Sequence, residues 1–202
     1  MTRTDRTPLP AKPHALLLVE GGDESNLCRA IAGPAWAGMH CWNVKGRDRL
    51  PLEAEAARLD PNYGFVRSVG IVMDIEDSLP RAVEIAKATL EALASPGAPT
   101  HGVVAHGRGV FFLPDGSNPG ALESLCRRAV RDPARAQCAD ALLKCAGAGH
   151  QTTAAVDKAW LRAYLATLPD PTLRFYQVLD HPLGIDPSSP AFDPLREFLA
   201  NL

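Results

Sequence analysis

A chain of 202 residues, 46% hydrophobic and 22% charged, is long enough for one buried core and ordinary in composition for a soluble globular protein. Lys and Arg number 21 against 23 Asp and Glu, a formal charge of −2, so no global basic field advertises nucleic-acid binding, although a local basic groove fits inside a neutral total. The five cysteines (Cys28, Cys41, Cys126, Cys138 and Cys145) are odd in number and form no C-x-x-C pair, which argues against a structural zinc or a secreted disulfide framework and for a reduced, cytoplasmic setting.

Residues 1–14 are polar and Pro-rich and read as a mobile amino-terminal tail. The apolar run that follows is too short for a signal peptide, and nothing in the chain approaches the ~20 residues that span a bilayer, so no membrane is expected. A strand is predicted over 15–20, then a Gly-Gly turn and a helix near 24–32, with Leu27, Cys28 and Ile31 spaced for one face. A second strand over 39–44 and a short helix over 50–59 precede a third strand over 67–74, whose continuous apolar run suits burial on both faces. Ser78 can cap a long helix that accepts Pro80 in its first turn and stops before Ser95-Pro96-Gly97. The fourth strand covers 109–113, and Asn118-Pro119 opens another helix in cap-then-Pro order. This alternation predicts an α/β fold, a mostly parallel sheet flanked by helices, over 15–131. From 132 to 202 the pattern is helical (134–146, 153–168 and 190–202), a carboxyl-terminal extension packed on the core.

Three acidic stretches follow apolar strands: Glu20-Gly21-Gly22-Asp23-Glu24, Asp74-Ile75-Glu76-Asp77 and, after 110–113, Pro114-Asp115-Gly116. The carboxyl ends of parallel strands form one edge, and ligands bind there. Crowded carboxylates must protonate or gather around a cation, and for hard oxygen donors that cation is Mg²⁺, with Mn²⁺ as an alternative. Two glycines after Glu20 let the backbone turn and a ligand approach, while Asp23 reads first as a helix cap and Glu24 lies one turn beyond Glu20. In an extended strand end Asp74 and Glu76 point the same way and can reach one ion together, whereas Asp77 more simply assists the Ser78 cap. Asp115 sits in a strong turn sequence, and Glu123, in the next helix, either looks back to the strand ends or is a solvated charge. Lys45, Arg47, Arg49, Arg108 and Lys158 are surface cations by default and a basic groove if they line the same edge. The histidines show no H-E-x-x-H spacing, no Ser lies in a G-x-S-x-G elbow, and no G-K-[ST] follows Gly107-Arg108-Gly109.

Taken together, Leu18-Val19-Glu20-Gly21 and Met73-Asp74-Ile75-Glu76 resemble the Toprim fold, the metal-binding catalytic domain of topoisomerases, primases, OLD-family nucleases and small recombination proteins. Its hallmark is a Glu after the first strand and D-x-D after a later one; Glu76 replaces the usual Asp, which keeps the charge and lengthens the arm. The stretches LLVEGGDE, VGIVMDIED, GVFFLPDGSNPGALESL, KAWLRAYLA and AFDPLREFLANL also resemble a family of small Toprim-like proteins known as a domain of unknown function. Similarity to OLD-type nucleases implies Glu20, Glu24, Asp74, Glu76 and Glu123 as metal ligands. It implies Glu20, Asp74 and Lys158 as the catalytic set, with Lys158 meeting the phosphate or transition state. The expected activity is Mg²⁺-dependent phosphodiester cleavage of nucleic acid. The alternative is a non-catalytic, metal-stabilised module that binds nucleic acid, a nucleotide or a protein; a homo-oligomer stays open.

Overall fold

Four apolar runs pair as parallel strands, and a computed structural model describes residues 8–11, 13–94, 99–148 and 151–202 of the chain around them. In chain order the elements are β1 (Ala15–Val19), α1 (Gly22–Ala32), β2 (Met39–Asn43), α2 (Leu50–Arg58), β3 (Ser68–Asp74), α3 (Leu79–Ala92), β4 (Val104–Ala105) and β5 (Arg108–Leu113). Then come α4 (Leu122–Arg127), α5 (Pro133–Cys145), α6 (Thr153–Ala166), α7 (Phe175–Asp180) and α8 (Asp193–Ala200). The sheet order is β2-β1-β3-β5-β4, parallel except for the β4 edge. This is the α/β architecture expected from the alternation of strands and helices, with carboxyl-terminal helices added.

The order places the functional edge. From β1 the chain steps to β2, then crosses back over β1 to β3, and continues the same way to β5. Right-handed crossovers running in opposite directions put their helices on opposite faces of the sheet. Accordingly Leu17, Val19, Val72, Phe111 and Leu113 pack on the α1 side, while Leu16, Leu18, Ile71, Met73 and Phe112 pack on the α2 and α3 side. The direction reverses between β1 and β3, the topological switch point where open α/β sheets bind ligands. Glu20 follows β1, and Asp74 ends β3.

The helices beyond 131 share the α1-side core through Trp160, Tyr164, Phe175, Phe192 and Phe198. Two helices start on side-chain caps, that at Ser78 as the sequence suggests. The Ser78 hydroxyl accepts the Arg81 N–H at 3.3 Å before α3, and Asp132 accepts the Ala134 and Arg135 N–H groups before α5. No helix among the described residues is long and apolar enough to cross a membrane.

Several expectations change. The helix predicted from Asn118-Pro119 begins only at Leu122, because the Asn118 side chain bonds Asp115 and Gly120 pairs with Glu76. The β4 edge and α7 are additions; both are too short for a periodic signal. Most of the amino-terminal tail lies outside the described residues, as does the Ser95-Pro96-Gly97 stop. Leu9, inside that predicted tail, is buried at 2% exposure, and its backbone bonds Asp60 and Asn62. Among the cysteines, Cys28 and Cys126 are buried, and Cys138 and Cys145 are exposed.

Gly70 in β3 lets the Leu202 side chain lie directly on the strand. A Cβ there would strike Leu202 and stand 3.0 Å from Leu17 Cδ1. Gly70→Ala is expected to cost about 1–3 kcal/mol by overpacking, seen as a lower urea midpoint at unchanged slope.

Candidate functional site

Backbone hydrogen bonds knit the strand ends together before any side chain is considered. The Gly46 N–H donates to the Glu20 carbonyl at 2.9 Å, tying the turn after β2 to the end of β1. The Ile75 N–H donates to Leu113 at 2.9 Å, and Glu76 and Gly120 exchange two bonds at 2.7 and 2.8 Å. Across this frame the Asp74 N–H donates to Glu20 Oε1 at 3.0 Å. Asp74 Oδ1 in turn accepts the Leu122 N–H at 2.9 Å, capping α4 from a different strand. The same two carboxylates that crowd the edge thus also hold β1, β3 and α4 in register.

A cleft of about 300 Å³ opens here, lined by Glu20, Asp23, Glu24, Asp74, Glu123 and Lys158, with Gly21, Gly22 and Gly46 in its wall. A Cβ on Gly21 would stand 2.7 Å from Glu24 Oε2, so glycine there leaves room for that carboxylate. Lys158 arrives from α6, whose position is fixed by Trp160 Nε1 donating to Asp140 of α5 at 2.8 Å and by Arg127 bonded to Asp157 at 2.9 Å. Its ammonium lies 3.4 Å from Glu76 and 3.9 Å from Asp74.

The electrostatics follow from this crowding. Burial, opposed by the Asp74 N–H and reinforced by Glu24 and Glu76, pushes the Glu20 carboxyl up to about 7. Burial also raises Asp74 well above the usual carboxylate range, with Glu20, Glu24 and Glu123 adding repulsion. Glu24 and Glu123 are raised as well, burial again leading. For Lys158 burial works downward, but Asp74, Glu123 and Glu76 outweigh it and hold the ammonium above its ordinary value. Such strained ionisations concentrate at functional sites, because a folding optimum alone would not assemble them.

Of the residues expected from the sequence, Glu20, Glu24, Asp74, Glu123 and Lys158 are brought together. Glu76 departs from expectation. β3 ends at Asp74, and Glu76 takes a left-handed backbone with φ 53°, so the pair is not set by strand alternation, although both carboxylates reach the Lys158 ammonium. Glu76 instead stands at the rim, 2.9 Å from Arg47. Asp115, the third acidic strand end, turns away: it accepts from Ser117 and Asn118 and pairs with Arg128 at 3.2 Å. These bonds outweigh its partial burial and hold its carboxyl down at about 2. The supposed basic groove does not form as a unit. Arg108 begins β5 at the opposite edge of the sheet, and Arg49 pairs with Glu53 at 2.9 Å. Asp23 lines the cleft although a cap was its first reading. Arg47, one of the cations expected to follow the second strand, does reach this edge, four residues past the end of β2 in Val44-Lys45-Gly46-Arg47.

As a donor set the cleft is all carboxylate oxygen, the kind that Mg²⁺ and Mn²⁺ take. One of its oxygens, Glu123 Oε2, is buried with no hydrogen-bond partner, an acceptor that a cation would satisfy. Among the described residues, however, no group of three or more His, Cys, Asp or Glu side chains is arranged to hold an ion as it stands. The carboxylates share a cleft but do not yet converge. A family model described as a protein of unknown function (DUF3226) matches residues 14–202. No curated protein and no solved structure matches the chain.

Proposed function

The chain belongs to the DUF3226 family, and from the cleft at its switch point we propose a Mg²⁺-dependent phosphodiester-cleaving enzyme of Toprim type acting on nucleic acid. The observation that carries this reading is the pairing of Glu20 and Asp74 at the ends of adjacent parallel strands, both pushed toward protonation, with Glu24 and Glu123 in the same cleft. Glu20, Glu24, Asp74 and Glu123 are the residues that would hold Mg²⁺ or Mn²⁺. Bound there, such an ion supplies charge to polarise phosphoryl oxygens and to acidify an attacking water. Lys158, cationic and facing Asp74, is placed to meet a phosphate oxygen. One of the cleft carboxylates would take the proton from the nucleophile. Its five free cysteines suit a reducing, cytoplasmic setting.

One observation favours the second reading, a non-catalytic module. Arg47 and Lys158 already pair with Glu76, so part of the acidic charge is balanced by the chain's own cations. A labelled panel of DNA and RNA, single- and double-stranded, incubated with Mg²⁺, Mn²⁺ or EDTA separates the two. The enzyme cuts at least one substrate only with the metal, and Lys158→Gln slows it. A module binds without cutting, and that result would overturn the nuclease.

A further inference from the structure

We propose that Arg47 is a positioning residue that holds Glu76 at the rim of the cleft, and that a divalent cation draws Glu76 away from it and completes the ligand set. This rests on the cation-site reading above. The arrangement on the β2 side is built for one purpose. Lys45 and Gly46 take positive φ, 59° and 116°, a double reversal held by the Gly46 N–H on the Glu20 carbonyl and the Lys45 N–H on Asn43 Oδ1, both at 2.9 Å. That reversal lays Arg47 across the strand ends, where its side chain is only 19% exposed. One nitrogen donates to the Ile75 carbonyl at 3.2 Å and the other meets Glu76 Oε2 at 2.9 Å. The guanidinium is therefore a fixed fork rather than a loose surface charge.

The partner is built differently. The Glu76 backbone is pinned in the left-handed region by its two bonds to Gly120, while its side chain remains 34% exposed. Any change at Glu76 is therefore a swing of the side chain about a fixed backbone. Its two oxygens contact Arg47 and Lys158 separately, so both cations hold it outward together. With Glu76 so held, the carboxylates of the cleft do not converge, in accord with the lack of any ready ion-holding group among the described residues. A divalent cation competes for the same carboxylate with twice the charge. Its arrival would leave the Arg47 fork, still anchored on Ile75, free for two oxygens of a phosphate.

Calorimetric Mn²⁺ titration of the wild type, Arg47→Gln, Glu76→Gln and the double variant forms a cycle that tests this. Arg47→Gln is expected to tighten Mn²⁺ about tenfold when Glu76 is present, and by less than about threefold when Glu76→Gln is also present. Equal tightening in both backgrounds would mean bare charge repulsion and overturn the proposal. So would no tightening in Arg47→Gln. If that variant does not fold, Arg47→Lys keeps the charge but cannot bond Ile75 and Glu76 together. It is expected to tighten Mn²⁺ about threefold, and no change overturns the proposal. Absence of Mn²⁺ binding in every form sinks the cation site itself, whereas binding without coupling sinks this inference alone.

Discussion

Asp74→Asn is expected to give a protein that is more stable without metal and inactive with it. Asparagine keeps an oxygen for the Leu122 N–H, so the cap on α4 survives, while the buried charge and its repulsion from Glu20, Glu24 and Glu123 disappear. That relief should raise the thermal midpoint at pH 7.5 by several degrees. Removing a ligand that helps to polarise the phosphoryl group should lower cleavage by on the order of 10²–10³-fold. Scanning calorimetry with EDTA and a cleavage assay with Mg²⁺ read the two effects separately. Asp74→Ala is the contrasting variant: it removes the same charge but leaves the Leu122 N–H without its acceptor, and should be the less stable of the two. A stable asparagine variant that cuts at the wild-type rate would remove Asp74 from the chemistry.

The second large effect is on pH. The Glu20 carboxyl titrates at about 7 in the folded chain against an ordinary value of 4.5. Between those values the folded state holds a proton that the unfolded state has lost, so stability falls as pH rises through this window and levels off above it. Asp74, Glu24 and Glu123 are shifted in the same direction and add to the fall. Asp115 works oppositely but elsewhere: its contribution is present above 3.8 and is lost as pH drops toward about 2. The metal-free protein should therefore melt highest near pH 5 and several degrees lower at pH 8. Millimolar Mn²⁺ should recover most of that loss at pH 8 and do little at pH 5, where the ligands are protonated. A flat melting profile from pH 5 to 8 would mean that the cleft carboxylates are not strained by their burial.

How far the sequence revealed this molecule depended on the length of each signal. β1 and β3 were legible because five and seven consecutive residues are buried, and such runs end where polar residues take over, at Glu20 and Asp74. Ser78 was a sound helix start, since a cap needs only local chemistry. The Asn118-Pro119 start failed for a tertiary reason: a bridge from Gly120 to Glu76 held the chain extended until Asp74 could cap Leu122. The extended backbone expected at Glu76 gave way for the same kind of reason. Period-two alternation assumed that β3 continued, and a left-handed residue cannot be read from a single Glu in D-x-E. The meeting of Glu20 and Asp74 was legible from parallel topology, because every such sheet has one carboxyl edge, while Glu24 and Glu123 were expected there from the resemblance. Arg47 was legible only as one of several cations after the second strand, because two positive-φ residues re-aim it and only one of them is glycine.

The most direct test of a divalent cation in this cleft is calorimetric titration of Mn²⁺ at pH 6.5 in two buffers of different ionisation enthalpy. The Glu20–Asp74 cleft predicts saturable binding accompanied by proton release, about one proton per ion or more, with both lost in Asp74→Asn. Absence of binding, or binding with no proton release that persists in Asp74→Asn, would contradict a cation held by these carboxylates.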